Sequence, residues 1–343
     1  MKLSVRRCTL ELARPLRSAY GTVTERHLLA VSITDADGVE GHGEAAPLPD
    51  YDGVAVERVE SALSRYAEAL SRHGTLSGAQ VLETCREVDD VPAALAAVDV
   101  ALWDRAGRHS GRPVAALLTD TPAPEIAVNA TLSARDEDAA AAEAADAARA
   151  GFGCLKLKVG VEDDTERVAA ARAAAGPDVA LRLDANGAWS VAQAVRAIDA
   201  LAPAGVELFE EPVHGLDSIR ALRERVQARI AIDETAAQSG ALASGAAHAV
   251  CLKLSRCGGI SGLIAAATLV RASGAEPYIA STLDGPVGVA AALHAAAALA
   301  SRGPLPHCGL GTLSLFAGIE NQLPARAGSI ALPTRPGLGV DPL

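Results

Sequence analysis

The chain has 343 residues, half of them apolar, and a formal net charge of −11. That length allows one barrel-sized domain plus a smaller one, or two medium domains. The acidic balance, with no basic stretch, makes nucleic acid and anionic membrane poor partners, and an anionic small substrate would have to be met locally by a metal or by lysines.

Taken in chain order, the N-terminal MKLSVRRCTLEL lacks the apolar core of a signal peptide. Residues 1 to about 55 read as β-rich. The alternating runs LSVRRCTLEL and HLLAVSITDA flank an expected loop, RPLRSAYGTVTER, and the second run leads through DADG into GHGEAAP. Helices are expected from Val54 to about Arg72 and from Pro92 to Arg108, the latter closed by Gly111 and Pro113. DTPAPE, from Asp120 to Glu125, reads as a linker, so the expected division is a capping domain over 1–120, a barrel over 121–318 and a tail over 319–343 that returns to the capping domain.

Beyond the linker, strands alternate with helical segments. Strands are expected at 125–132, 153–159, 179–185, 206–211, 229–234, 249–255, 276–282 and 304–310, with weak helix signal between the fifth and sixth. Eight such units predict an α/β fold, a (β/α)8-type barrel with an α+β cap; no GxGxxG follows a strand, as the doubly wound alternative would want. No apolar stretch reads as a membrane span: Val287 to Ala300 is too short and His294 interrupts it. The cysteines (Cys8, Cys85, Cys154, Cys251, Cys257, Cys308) form no CxxC pair and read as reduced thiols of a cytoplasmic protein. Homo-oligomerisation is left open.

Of 31 basic residues, only Lys2, Lys156, Lys158 and Lys253 are lysines. Lysine, unlike arginine, can lose its proton and serve as a base. Three of the four sit in the apolar runs GCLKLKV and AVCLKLS, which read as buried strands. Lys156 and Lys158 are two apart and share a strand face. Asp184, Glu210, Asp233 and Lys253 follow at intervals of about one β/α unit, which delivers one polar group per strand to the barrel's carboxyl rim. Three acids on adjacent strands suit a hard dication such as Mg2+, with Mn2+ as a substitute. With no HxH or HExxH, a nitrogen-ligand zinc site is not expected. Neighbouring lysines beside a dication are expected to lower at least one lysine pKa. The set fits removal of a proton α to a carboxylate, with the dication stabilising the enediolate.

KLKVG (156–160), LRLDANGAW (181–189), FEEPV (209–213), IAIDET (230–235), LKLSRCGGISG (252–262) and GHGEAAPLPDYDG (41–53) resemble the signatures of the enolase superfamily, in its muconate-lactonising branch. The resemblance implies Asp184, Glu210 and Asp233 as Mg2+ ligands, Lys158 as base, Lys156 as the neighbour that tunes it and Lys253 as acid/base or cationic partner opposite. It also implies capping loops near Arg17, Tyr20 and Tyr51 that close over a small carboxylate substrate. Within the branch, dipeptide epimerases often carry Asp-x-Asp at the eighth strand end to hold the substrate ammonium; here Gly309 and Gly311 stand in HCGLGTLSLF (307–316). GLGTL is more like o-succinylbenzoate synthases, which implies β-elimination of water in menaquinone biosynthesis. The alternative is a racemase or epimerase of N-acylamino acids or dipeptides working by two-lysine proton transfer, or a cycloisomerase.

Further substrate contacts are expected at Ser281, Thr282, Asp284 and Gly309. Arg182 reads equally as substrate contact or structural ion-pair partner. Asn186 is expected to order the third loop or reach the substrate, Glu211 and Glu234 to support the acids or face outward, and His294 and His307 to be structural.

Overall fold

The computed structural model describes residues 1–18, 21–134, 136–160 and 164–343, with the backbone alone at residues 17 and 18. Of the expected lid residues, Tyr20 and the side chain of Arg17 lie outside the described residues. The chain opens with strands β1 (Lys2–Ser18), β2 (Gly21–Thr34) and β3 (Glu40–Ala45), paired antiparallel in that order. The expected loop at 14–26 is largely strand instead: alternation continues past a register shift between Glu11 and Leu16, and Leu16 then opposes Val23.

Helices α1 (Pro49–Asp52), α2 (Val56–Ser71), α3 (Gly78–Val88), α4 (Pro92–Ser110) and α5 (Val114–Leu118) follow. Of these, α1, α3 and α5 were not anticipated; in α3, Ser77 and Gln80 form a capping box. In α4, Pro92 starts the helix, where its missing N–H costs nothing, and Gly111 ends it at φ 67. The glycines of GHGEA have a packing reason. A Cβ at Gly41 would lie 2.1 Å from the Ala101 carbonyl oxygen, and one at Gly43 1.9 Å from that of Ala97. Strand β3 therefore lies backbone-to-backbone on α4.

The second part alternates as expected: β4 (Glu125–Ala127), β5 (Ala130–Leu132), α6 (Glu137–Arg149), β6 (Cys154–Lys158), α7 (Asp164–Ala175), β7 (Ala180–Asp184), α8 (Val191–Leu201), β8 (Leu208–Glu210), α9 (Leu216–Arg223), β9 (Ile230–Ile232), β10 (Ala249–Leu252), α10 (Leu254–Cys257), α11 (Ile260–Ala272), β11 (Glu276–Ile279), α12 (Pro286–Ala300) and β12 (Ser329–Ala331). Strands β5 to β11 form one parallel sheet in chain order. Residues 308–309 close it into a barrel, since Cys308 bridges Val128 and Gly309 bridges Ala280. The first expected strand is split: β5 belongs to the barrel, whereas β4 pairs antiparallel with β12 in the C-terminal tail. Between β9 and β10 there are only short 3-10 turns, Glu234–Ala237 and Ala241–Ala243, where Gly240 and Gly245 interrupt the run.

The capping layer grips the barrel through buried polar groups. The Glu44 carboxylate accepts the Gly285 N–H at 2.6 Å, at the start of α12, and Asp99 accepts the Ser261 N–H and hydroxyl at 3.0 and 2.6 Å, at the start of α11. Acids at helix N-termini satisfy orphan donors and oppose the helix dipole. At the other end of the interface, Asp104 accepts the Leu338 N–H at 2.7 Å, and Ala317 donates to the Glu11 carbonyl at 2.9 Å. His294 sits wholly buried in the alanine-rich α12; its Nδ1 accepts the Ala115 N–H at 3.1 Å, so Nε2 carries the proton given to the Leu338 carbonyl at 3.1 Å. It is structural, as expected.

Burial lowers the His294 pKa to about 4. The unfolded chain therefore binds a proton below about pH 6.5 that the folded chain refuses until about pH 4. Stability linked to this residue is complete above 6.5 and lost as pH falls through 4, on the order of 3 kcal/mol in all. Replacing it with asparagine keeps one acceptor but strands the Leu338 carbonyl. His294→Asn is expected to cost roughly 1–3 kcal/mol at pH 7.5 and to flatten the acid loss, read by denaturant unfolding at pH 7.5 and 4.5.

Candidate active site

Strand alternation builds the site. In parallel register, Lys156 lies beside Arg182, Lys158 beside Asp184, and Asp184 beside Glu210. Asp233 and Lys253 follow directly on β9 and β10. All six polar residues predicted from the strand ends thus reach one barrel mouth. Lys156 Nζ is 2.8 Å from both Asp184 and Glu210, Lys158 Nζ is 2.6 Å from Asp184, and Lys253 Nζ is 3.1 Å from Asp233. Lys158 and Lys253 stand on strands four apart in the sheet order, on opposite sides of the acids.

Within the cluster, the acids hold two of the three amines charged. Burial alone would lower Lys156 and Lys253, but Asp184 and Glu210 hold the first, and chiefly Asp233 the second, well above the ordinary lysine value. An amine paired directly to buried carboxylates is held protonated. The acids respond in opposite ways. Despite burial, Lys156 and Lys158 keep Asp184 far below the usual carboxylate range, and Lys253 and Lys156 keep Asp233 low. Glu210 is pushed up, by burial and by Asp184 and Asp233, against the pull of Lys156.

Glu210 Oε2 is buried with no hydrogen-bond partner. An orphaned carboxylate oxygen between two further acids is a donor set that fits a hard dication, held by Asp184, Glu210 and Asp233.

Supporting groups hold this arrangement. Lys158 also donates to Asn186 Oδ1 at 2.6 Å, and Asn186 Nδ2 donates to Glu234 at 2.8 Å, so Asn186 orients the amine from a backbone at φ 45. Glu211, which the sequence left between inward and outward, is fully buried; it accepts the backbone N–H of Asp233 at 2.8 Å and of Thr235 at 3.0 Å and fixes the fifth strand end. From the capping layer, the Tyr51 hydroxyl donates to Asp233 at 2.5 Å, and its ring lies under Lys253 at 5.1 Å and Arg256 at 4.1 Å.

Other expected contacts are placed elsewhere. Arg182 points to the barrel floor, bonded to Glu207 at 2.8 Å and the His307 carbonyl at 2.8 Å and lying over Tyr278. In this position it serves as an ion-pair partner of Glu207. Thr282 and Asp284 are buried and bonded to each other, the Thr282 hydroxyl at 3.0 Å from the carboxylate; only Ser281 of that group stays half-buried. Gly309 lies against the seventh strand, where a Cβ would come 2.9 Å from the Ala280 Cβ. One chemically distinctive residue was passed over. Cys251, two before Lys253, faces the barrel interior beside Ala231, Ala249 and Tyr278. The same i, i+2 spacing that paired the lysines would have revealed it.

Residues 139–343 match the family described as Enolase C-terminal domain-like, and residues 2–119 the Mandelate racemase / muconate lactonizing enzyme, N-terminal domain. The chain belongs to the enolase superfamily. Among curated relatives in that superfamily, it is 30% identical to the hydrophobic dipeptide epimerase of Enterococcus faecalis, over 87% of this chain and 86% of that one. It is 32% identical to muconate cycloisomerase 1 of Rhodococcus opacus, over 96% and 92%. Among solved structures, N-succinyl Arg/Lys racemase from Bacillus cereus superposes with a TM-score of 0.91 at 26% identity, covering 99% of this chain and 95% of that one. The dipeptide epimerase from Enterococcus faecalis, solved with Mg and the dipeptide L-Leu-L-Tyr, gives 0.90 at 27%, covering 98% of each.

For this enolase-superfamily enzyme the ion pairs make a stability prediction. Lys156 is the counter-charge for two carboxylates that are each about 1% exposed. Lys156→Met is expected to destabilise the chelator-treated protein by roughly 3–5 kcal/mol, measured by denaturant unfolding, because uncompensated buried charge remains.

Proposed function

We propose that the protein is an isomerase that inverts the α-carbon of an N-acylated amino acid, with Lys158 and Lys253 exchanging the α-proton from opposite faces. The observation that carries this is the pair of amines flanking one acid cluster, Lys158 against Asp184 and Lys253 against Asp233. A dication held by Asp184, Glu210 and Asp233 would supply charge neutralisation for the substrate carboxylate as its α-proton leaves. Asn186 holds the Lys158 amine at the reacting carbon, and Tyr51, packed on Lys253, keeps water from that face. Whichever lysine is unprotonated takes the proton, and the other, protonated, delivers one to the opposite side.

The named relatives, an epimerase, a racemase and a cycloisomerase, support isomerisation more than the β-elimination suggested by GLGTL. The eighth strand supports an acylated nitrogen. An aspartate at Gly309 would collide with Ala280, so that strand end has no acid at 309 to hold a free ammonium. An uncharged amide needs no such partner.

In D2O with Mg2+, deuterium is expected at the α-carbon of both enantiomers of an N-succinylamino acid. Lys158→Ala is expected to abolish exchange from one enantiomer and Lys253→Ala from the other, with losses of about 10²-fold or more, followed by proton NMR. No exchange from any acylated amino acid, together with dehydration of a hydroxylated cyclohexadiene carboxylate, would establish the synthase instead.

Asp184→Asn, Glu210→Gln and Asp233→Asn are each expected to weaken Mg2+ binding by at least about tenfold in calorimetric titration. Unchanged affinity in all three would remove the acids from the metal role.

A further inference from the structure

We infer that Cys251, together with Glu210 and Asp233, forms a soft-metal subsite that takes Zn2+ or Cd2+ in competition with the hard dication. The inference rests on the acid cluster being a metal site and adds a donor of different chemistry to it. One oxygen each of Glu210 and Asp233 and the sulfur of Cys251 all lie within 4.8 Å of one another, and all three residues are buried. Glu210 Oε2 is buried and has no hydrogen-bond partner. The thiol reaches the cluster because β10 alternates: Ala249, Cys251 and Lys253 share the inward face, and Cys251 sits one step below the lysine.

A thiol beside two carboxylates changes which ions the site prefers. Mg2+ takes oxygen ligands and leaves sulfur unused, whereas Zn2+ and Cd2+ gain most from a thiolate. Toward Mg2+, which prefers oxygen ligands, the thiol is a bystander. When a soft ion binds, the S–H bond breaks, a sulfur electron pair forms the S–metal bond and the proton leaves to solvent, with no change of oxidation state. A cavity of about 640 Å³ lies beside the cluster where the fifth barrel helix is missing, and its walls include Asp233, Cys251, Lys253 and Cys257.

The ion held by two carboxylates and Cys251 is offset toward β10 from the position that all three acids share. It would therefore draw on Glu210 and Asp233 and not on Asp184. Soft ions are expected to act as competitors of Mg2+, not as equivalent replacements.

The test uses the full chain, stripped with chelator and dialysed. Cd2+ is titrated in while the thiolate-to-cadmium charge-transfer absorption is recorded, with and without excess Mg2+, for the parent, Cys251→Ser, Cys251→Ala and Cys257→Ser. Calorimetry gives Mg2+ affinity in parallel, and thermal melts report folding. The parent is expected to show an absorption band that Mg2+ suppresses. Both Cys251 variants should lose that band and bind Cd2+ at least about tenfold more weakly, while their Mg2+ affinity stays within about twofold. Cys257→Ser should behave as the parent. A Mg2+-sensitive band that survives in a folded Cys251 variant, or that disappears with Cys257, overturns the inference. Absent Mg2+ binding in the parent would defeat the acid-cluster reading, and a band still dependent on Cys251 would then leave the thiol site standing.

Discussion

Three carboxylates and three ammoniums confined to one barrel mouth impose the main constraint on this structure. None of the acids is more than about 3% exposed, and each would be costly to bury alone. Pairing solves that problem only because neighbouring strands bring opposite charges together, Lys158 beside Asp184 and Lys156 within reach of both Asp184 and Glu210. The register of β6, β7 and β8 is therefore fixed by charge as well as by apolar packing, since a slip of one residue would turn the polar set into the apolar shell around the barrel. The same pairing leaves one weak point. Lys156 is shared by two acids, so Glu210 keeps an oxygen without a partner. The place where the protein's own charges fail to close is where a cation is most strongly wanted.

The capping layer uses a related principle. Glu44 and Asp99 are carried by the N-terminal part, yet each satisfies the first turn of a barrel helix, α12 and α11 respectively. Burial and the nearby Asp284 raise Glu44 to about 8, even though the Gly285 and Gly288 N–H groups and Arg26 favour its charged form. Such bonds are directional and have no substitute in a dry interface, so they set the orientation of the cap more tightly than apolar contact could. His294 does the same at the opposite end, joining α5, α12 and the tail through one tautomer. These contacts seat the segment that carries Tyr51 over the barrel mouth.

The repeating part of the fold was legible because parallel strands buried on both faces read as short apolar runs, and because their carboxyl ends are marked by charges at regular spacing. The six charged residues followed from that rhythm alone. What escaped was non-periodic. The hairpin at 14–26 continues as strand through polar residues, the run at 125–132 serves two sheets, and α3 is a short helix whose signal lies in its cap. Arg182 shared the inward face of Asp184, but depth along the strand, not face, decided its role: two residues lower, it meets Glu207 and the His307 carbonyl and not the mouth. Cys251 was hidden for the opposite reason. Spacing along the chain marks disulfide and zinc pairs, whereas its partners, Glu210 and Asp233, come from other strands.

Tyr51 joins the cap to the chemistry in a way that no single element could. Its hydroxyl completes the shell of Asp233, and its ring forms one wall for Lys253 and stacks under Arg256, which in turn donates to the Tyr51 carbonyl at 3.2 Å. Arg256 belongs to the barrel, immediately after the sixth strand, so the loop is held from below by the group it covers. Withdrawing that loop would remove a hydrogen-bond donor from an acid, an aromatic face from an ammonium and a cover from the mouth at the same time. The cover over the mouth and the surroundings of Lys253 and Asp233 are therefore built from one residue.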